Sequence, residues 1–410
     1  MNTINILGVN ISTLNKQQIL EKLNQFLTDG KQHQIVTPNP EILLQADHDE
    51  EFFYILNKAD LAIPDGIGLK FAGWLAGKNI RRITGADLIG DILKIAEQKK
   101  LKVAVVNWKG GLSKKEDIEK VLEKKYPDLR FLVEDIEREI GNCLPRCAAR
   151  GQGKLEIGNL ADFQPDILFA TLGAPWQEKF IYHNLSQLPS VKIGIGVGGA
   201  FDFLTGRIKR APKLMRLIGL EWLWRLFMQP WRRKRIYNAV IVFPAKFIKY
   251  KFINKWFYRK NVVGFILNNK NQVLLVNWIK DSDYWGLPQG GVDSGESEDD
   301  AIQREMKEEI GISNFKILDK FKNVYKYKWP KCYTNRGYKG QKQTLYILKF
   351  YGDDGDINLC PWEHKAWKWA NINNLINETH QVHQKAYKIF LEKFNSSTDC
   401  PKITSLSFPT

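Results

Sequence analysis

Cysteine is scarce in this chain of 410 residues. Its five cysteines, Cys143, Cys147, Cys332, Cys360 and Cys400, are odd in number and scattered, which excludes a disulfide framework as the basis of the fold. Cys143 and Cys147 stand close in "CLPRC", but no second Cys/His pair follows at zinc-finger spacing, so reduced thiols are the plainer reading. Long apolar runs are missing too. A bilayer span needs roughly 18 or more apolar residues, and the longest candidate, "AVIVF", runs into Pro244. The opening "MNTINILGVNIS" has neither a basic leader nor an apolar core, so no signal peptide is expected. The third scarcity is local. From Arg207 to Lys260 there are 16 Lys/Arg against one acid, Glu221, which accounts for nearly all of the net charge of +16. The cationic surface is therefore one segment of an otherwise near-neutral chain.

What is present suits a globular chain. Hydrophobic residues make up 44% and aromatic residues 12%, enough for real cores, and the length suggests two domains or three. Over 1–205, β-rich runs ("INILGVNI", "HQIVTP", "DLAIPDG", "LKVAVVNW", "DILFATLG", "VKIGIGVGG") alternate with helical patterns such as "NKQQILEKLNQFLTDG" and "GADLIGDILKIAEQKK". That alternation predicts an α/β domain, a Rossmann-like, mostly parallel sheet with helices on both faces. Several runs end in Gly, Pro, Asn or Asp, where such sheets carry their ligand loops. "EREIGNCLPRCAARGQGKLEIGN" reads as an irregular excursion. Residues 206–257 form the basic, Trp-rich amphipathic piece, with Pro230 and Pro244 dividing it into helical lengths. Leu214, Leu217, Ile218, Trp222 and Leu223 lie along one side. From 258 to 396 the pattern changes to a second, smaller domain of strands and helices. It opens with a hairpin turning at "NNKN", then has a helix, a Lys/Tyr-rich loop, the strand "KQTLYILKFYG" and a closing helix from "HQVHQKAYKIFLEKF". Residues 397–410 read as a loose tail.

The helix of the second domain is delimited by local signals. Ser297 is a natural N-cap, with Asp300 in the capping-box position, and Gly311 follows Ile310 as a stop. Glu305, Glu308 and Glu309 stand at i, i+3 and i+4, so their carboxylates gather on one face. Gathered carboxylates repel unless a cation sits among them, and hard oxygen ligands suit Mg²⁺ or Mn²⁺. Taken alone, they fit a solvated acidic face as well. The whole spacing, from Gly290 through Glu296, Arg304-Glu305, Glu308-Glu309 and Gly311-Ile312, resembles the Nudix box without a departure.

That resemblance implies that residues 258–396 fold as a smaller α/β/α sandwich and form a hydrolase of nucleoside diphosphates linked to another group. Glu305, Glu308 and Glu309 would hold metals, and Glu308 or Glu309 could also act as base. Arg304 would orient the glutamates, and Gly290 and Gly291 would let the loop turn sharply. "WGLPQGGV", "YRKNVVG", "GQKQ" and Glu363 before "WKW" are similar to RNA pyrophosphohydrolases and dinucleoside polyphosphate hydrolases, with Lys260 where proline is usual. Glu363 would be a further ligand or base.

In the first domain "TPNPEILLQA", "ADLAIPDGIGLKFA", "RRITGADL", "TLGAPWQEKF" and "GVGGAFDFLTGRIKRAPKLMRLIGLEWLWRL" are each modest signals. Together and in this order they resemble the WecG/TagA/CpsF glycosyltransferases over about residues 3–240, departing around "AVVNWKGG" and "CLPRC". The resemblance implies inverting transfer of an N-acetylmannosamine-type sugar from a UDP donor to a polyprenyl-diphosphate-linked acceptor in cell-envelope polysaccharide synthesis, with no metal required. Asp65 would be the base; Thr37, Asn39 and Gln177 would line the site; Arg82 would reach a phosphate; Gly198 and Gly199 would approach the diphosphate. Arg225, Arg232 and Arg235 match the family's arginines by spacing and would neutralise a diphosphate. The basic segment would dock on an anionic membrane surface, which implies a peripheral position on the cytoplasmic face. Core packing of its aromatics and an RNA-binding strip are the other readings of that segment. The alternative for the whole chain is an RNA or dinucleoside polyphosphate hydrolase whose first half only binds nucleotide sugar or RNA. Homo-oligomerisation is left open.

Overall fold

The computed structural model describes residues 2–81, 83–137, 158–212, 215, 221–229, 232–279, 285–329 and 337–397. Two compact units divide the described chain after Lys251. The first unit opens with an antiparallel hairpin, β1 (Thr3–Ile6) and β2 (Val9–Ser12). "INILGVNI" thus contributes to two strands, turned at Leu7 and Gly8, both with positive φ. The main sheet follows: β3 (His33–Val36), β4 (Leu61–Ala62), β5 (Lys102–Trp108), β6 (Arg130–Ile136), β7 (Ile167–Ala170) and β8 (Ile193–Gly196). Among the described residues it has six strands in the order β4-β3-β8-β7-β5-β6, and every pairing is parallel. β6, from "RFLVEDI", is an addition to the expected runs. Its buried and half-buried residues give no clean alternation.

Alternation along the central strands builds a core on each face. Val103, Val105, Ile167, Phe169, Ile193 and Ile195 enter one core with residues of helices Lys16–Phe26, Gly85–Gln98 and Lys115–Lys125. Ala104, Val106, Leu168 and Ala170 enter another with Phe180 and Ile181 of helix Trp176–Asn184. The period of two is why both faces carry helices. The strands all point their carboxyl ends the same way, so the loops after β3, β4, β7 and β8 gather at one edge.

The basic segment departs from expectation at Pro244. The chain is helical from Arg233 to Ile253, with π-helical turns at Asn238–Val242 and Lys249–Ile253 alternating with α-helical ones. The wide turn before Phe243 accommodates the missing N–H of Pro244, so the helix passes through it. Phe243 and Phe247 are fully buried with Val36, Ala62, Leu69 and Ala72. This stretch is therefore part of the first unit's core as well as a basic surface. Leu214, Leu217, Ile218, Pro230, the "CLPRC" excursion and residues 398–410 of the tail lie outside the described residues.

The second unit is a mixed sheet with helices against it. Its strands are β9 (Tyr258–Leu267), β10 (Gln272–Trp278), β11 (Trp285–Gly286), β12 (Gln289–Gly291), β13 (Phe315–Lys328), β14 (Gly340–Phe350) and β15 (His364–Asn371). The path β11-β10-β9-β14-β13 carries β12 on β9 and β15 on β10, and among the described residues only β14 with β9 is parallel. The β9–β10 hairpin turns at Asn268–Asn271, as "NNKN" predicts. The Lys/Tyr-rich stretch differs: "FKILDKFKNVYKYK" is the 14-residue strand β13, paired with β14. Shifts in register near Ile317 and Phe321 break its alternation, and its many lysines suit the end of a sheet. Two cores sandwich the sheet, one including Tyr387, Phe390 and Phe394 of helix Gln381–Ser396, the other Ile302, Met306 and Ile310 of helix Glu298–Ile310.

Candidate active sites

The site of the first unit is assembled from four strand exits. Thr37 leaves β3 buried, and its Oγ1 donates to the Gly196 carbonyl at the end of β8 (3.0 Å). Asn39 caps helix Pro40–Ala46: its Oδ1 accepts from the Glu41 and Ile42 amides (3.0 Å each). Asp65 leaves β4, with its amide on the Pro38 carbonyl (2.8 Å), which ties the β4 exit to the β3 exit. Its carboxylate faces the start of helix Gly85–Gln98, where a Cβ at Gly85 would stand 3.9 Å from Oδ2. Thr37, Asn39 and Asp65 thus share one edge of the sheet, as their positions after strands predict.

Gln177 holds the glycine-rich loop. Its Oε1 accepts from the Gly198 amide (2.8 Å) and the Gly173 amide (3.1 Å), and its Nε2 donates to Glu178 Oε1 (2.7 Å). Gly198 has φ 50°, a conformation that favours glycine, and Gly199 precedes the short helix Ala200–Leu204. Glu178 is 0% exposed, and burial pushes its carboxyl up to about 7 against the hydrogen bond from Gln177. The sequence offers no signal for it, since a glutamate in a first helical turn is ordinarily solvated. It orients the Gln177 amide by accepting from its nitrogen, leaving the oxygen for the two glycine amides.

The arginines divide. Arg235 makes a bidentate pair with Glu41 (2.7 and 2.8 Å from Nε), in the first turn of the helix that Asn39 caps. This pair sets the basic helix beside the β3 exit. Arg232 is half-buried before helix Arg233–Tyr237. Arg225 lies in helix Glu221–Met228. Arg82 and the side chain of Arg225 are outside the described residues.

The site of the second unit is concentrated on one helix. Ser297 caps it, accepting from the Asp300 amide (3.1 Å), and Gly311 ends it at φ 76°. Asp300 does not close a reciprocal box: its carboxylate accepts the Ser297 hydroxyl instead (2.6 Å), because the shorter aspartate reaches the side chain. Arg304 is the hub. It pairs with Glu296 through Nε (2.7 Å) and Nη2 (2.9 Å), with Glu305 (2.7 Å) and Glu308 (3.0 Å) through Nη1, and donates to the Gly291 carbonyl (2.9 Å). Burial lowers its pKa, but the hydrogen bond to Glu296 and the charges of Glu305 and Glu308 outweigh this and hold it above its ordinary value.

Gly290 and Gly291 form β12 against β9 rather than a tight turn. The need for glycine at 290 is close approach: an added Cβ would stand 1.9 Å from the Glu305 carboxyl carbon. Glu305 and Glu309 are 2% and 3% exposed. Glu309 accepts from the Gln289 amide (3.1 Å), and Gln343 of "GQKQ" donates to Gln289 (2.7 Å), so these motifs meet in space. Glu363 stands before β15. One ligand atom each from Glu309, Glu363 and His364 lie within 4.8 Å of one another. The donor set is mainly hard oxygen, with buried carboxylates beside a glycine that leaves them room, and it fits a divalent cation.

Comparison with known proteins divides the chain near the same place. The model of the glycosyl transferase WecG/TagA/CpsF family matches residues 4–256, and that of the NUDIX domain matches residues 257–392. The chain belongs to the WecG/TagA/CpsF family and carries a Nudix domain. The transferase part is 31% identical over 246 residues to the N-acetylglucosaminyldiphosphoundecaprenol N-acetyl-beta-D-mannosaminyltransferase of Bacillus subtilis (strain 168), covering 58% of this chain and 88% of the relative. The Nudix part is 38% identical over 143 residues to an RNA pyrophosphohydrolase of Wolbachia sp. subsp. Brugia malayi (strain TRS), covering 33% of this chain and 88% of the relative. It is also 38% identical over 154 residues to that of Orientia tsutsugamushi (strain Boryong), covering 36% and 96%. Both parts of this WecG/TagA/CpsF–Nudix chain are enzymes by these relationships.

Proposed function

We propose that the chain transfers an N-acetylmannosamine-type sugar from a UDP donor to a polyprenyl-diphosphate-linked sugar, and separately hydrolyses a pyrophosphate bond in a nucleoside diphosphate-linked substrate. The observation that supports the transfer is the placement of Asp65 and the Gln177-pinned Gly198 loop at the same edge of the sheet. Asp65 takes the proton of the attacking acceptor hydroxyl as the new glycosidic bond forms on the opposite face of the sugar from the departing UDP. The Gly198–Gly199 loop, without side chains and pinned by Gln177, lies against the donor diphosphate, while Thr37 and Asn39 fix the loop after β3. Arg82, Arg225, Arg232 and Arg235 supply positive charge to diphosphates in this reading.

In the hydrolase, Glu305, Glu308, Glu309 and Glu363 would hold Mg²⁺ or Mn²⁺. When bound, the cation supplies neutralisation of charge developing at phosphorus. Arg304 pairs with Glu305 and Glu308 and aims their carboxylates, and Glu308 or Glu309 removes the proton of the attacking water. Gly290 and Gly291 line the substrate side of β12. RNA 5′ ends are the substrate class that the relatives favour, and dinucleoside polyphosphates are the second class that the sequence resemblance implies.

The membrane surface is the partner we assign to the basic helix. Ile67, Phe71 and Trp74 are exposed at i, i+4 and i+7 of helix Ile67–Leu75, which begins two residues after Asp65. Tyr237, Ile241 and Ile248 are exposed on the neighbouring basic run. Apolar side chains among lysines and arginines suit an anionic lipid headgroup layer. Among the described residues no helix is long and apolar enough to cross a membrane. Incubation of the full chain with UDP-sugars, a lipid-diphosphate-GlcNAc acceptor, diadenosine tetraphosphate and triphosphorylated RNA, read by mass spectrometry, tests the proposal. Acceptor-dependent UDP and a nucleotide cleaved at its pyrophosphate bond are expected. Absence of UDP with every donor would reduce the first unit to a binding module.

A further inference from the structure

The four glutamates of the Nudix domain have a neighbour of different chemistry. His364 opens β15 directly after Glu363, and its side chain is fully buried. Its Nε2 stands 3.5 Å from Glu309 Oε2, longer than a good hydrogen bond. The ring is held in place: its backbone amide donates to the Cys360 carbonyl (3.0 Å), and Trp278 meets it edge to face at 5.1 Å. Cys360 in turn donates its amide to the Glu309 carbonyl (2.8 Å), so the turn carrying Glu363 and His364 is tied to the end of the glutamate helix. A histidine nitrogen and two carboxylate oxygens within 4.8 Å approach the span that one ion, at about 2.1 Å from each, imposes on its ligands.

We propose that His364 is a nitrogen ligand of the divalent cation held by Glu309 and Glu363, which makes this centre selective for Mn²⁺ or another first-row transition ion over Mg²⁺. The inference rests on the metal-dependent hydrolase reading above and deepens it. Mg²⁺ prefers oxygen and retains its waters. Imidazole suits the transition ions, and their affinity for nitrogen sites exceeds that of Mg²⁺. A simple ion pair between an imidazolium and Glu309 is the competing account of the same 3.5 Å approach, and it would disfavour a cation there.

Pulsed EPR on the untagged, full-length, Mn²⁺-loaded protein separates these accounts. A ¹⁴N modulation of directly coordinated imidazole is expected in the wild-type spectrum. His364→Phe should abolish it, raise the Mn²⁺ dissociation constant about tenfold or more, and reduce the preference for Mn²⁺ over Mg²⁺ by a similar factor. Mn²⁺ bound with no nitrogen modulation would overturn the role of His364 and leave the glutamate site standing. No bound Mn²⁺ at all would overturn both. Because His364 is buried, the wild-type spectrum decides even if His364→Phe does not fold. His364→Asn, smaller and polar, gives a second variant in which the modulation should also vanish.

Discussion

The two proposed active sites of this chain are built in opposite ways. The proposed hydrolase site draws Glu296, Arg304, Glu305, Glu308 and Glu309 from one helix and the loop leading into it, with Glu363 joining from just before β15, and a single guanidinium joins four of its groups. The proposed transferase site draws Thr37, Asp65, Gln177 and Gly198 from loops after four strands, spread over some 160 residues and joined mainly by side-chain-to-backbone hydrogen bonds. The first arrangement is fixed by helical spacing and survives as a pattern in the sequence. The second exists only once the parallel sheet has formed, so it depends on contacts far apart in the chain. A charge cluster on a helix carries its geometry with it, whereas a loop cluster borrows its geometry from the sheet.

The largest effect that would sharpen this contrast is expected from Glu309→Gln. It should lower nucleotide hydrolysis by about 10³-fold, read as kcat on a dinucleoside polyphosphate, by removing a ligand charge from a buried site. Sugar transfer should be untouched. Retained hydrolysis would remove Glu309 from the site. Next comes Asp65→Asn, which should lower acceptor-dependent transfer about 10²-fold or more while UDP binding by calorimetry persists. Loss of UDP binding instead would make Asp65 a donor-binding residue.

Glu178 gives a smaller, pH-dependent effect. Its folded pKa is raised from 4.5 to about 7 by burial, so the folded state holds a proton that the unfolded chain releases above the ordinary carboxylate range. The contribution is fully present below about 4.5 and is lost as pH rises through about 7, by about 3 kcal/mol in all. Glu178→Gln should therefore melt several degrees higher relative to wild type at pH 8 than at pH 5, in the transition of the first unit. A difference independent of pH would mean that Glu178 is ionised in the fold. The smallest effect is assigned to Arg235→Ala. Its pair with Glu41 is half-exposed and should contribute less than about 1 kcal/mol, so melting should barely move. A large drop would show that this pair, rather than the buried Phe243 and Phe247, anchors the basic helix.

The contrast also explains what is legible in the sequence. Strand-helix alternation is enough for the parallel sheet, and box spacing is enough for the Nudix helix, because both are local periods. β13 is hidden because its bulges scramble the period of two. The continuity of the helix through Pro244 is hidden because a π-helical turn has no sequence signature comparable to that of a cap. Gln177 stands in a motif, but nothing in that motif marks its partner Glu178: burial of one glutamate depends on Gln34 and the helix Trp176–Asn184 meeting across the sheet. His364 is next to Glu363 in the sequence. Only the turn at Cys360 places its ring against Glu309.

The measurement that bears most directly on two independent active sites in one chain is a two-product assay under chelation. Full-length protein would be given a UDP-sugar, the lipid-diphosphate acceptor and diadenosine tetraphosphate, with and without excess EDTA. The predicted result is that EDTA stops nucleotide hydrolysis while acceptor-dependent UDP continues to form. If chelation stopped both reactions, or left hydrolysis running, the division of the chemistry between a metal-dependent helix site and a metal-independent loop site would be wrong.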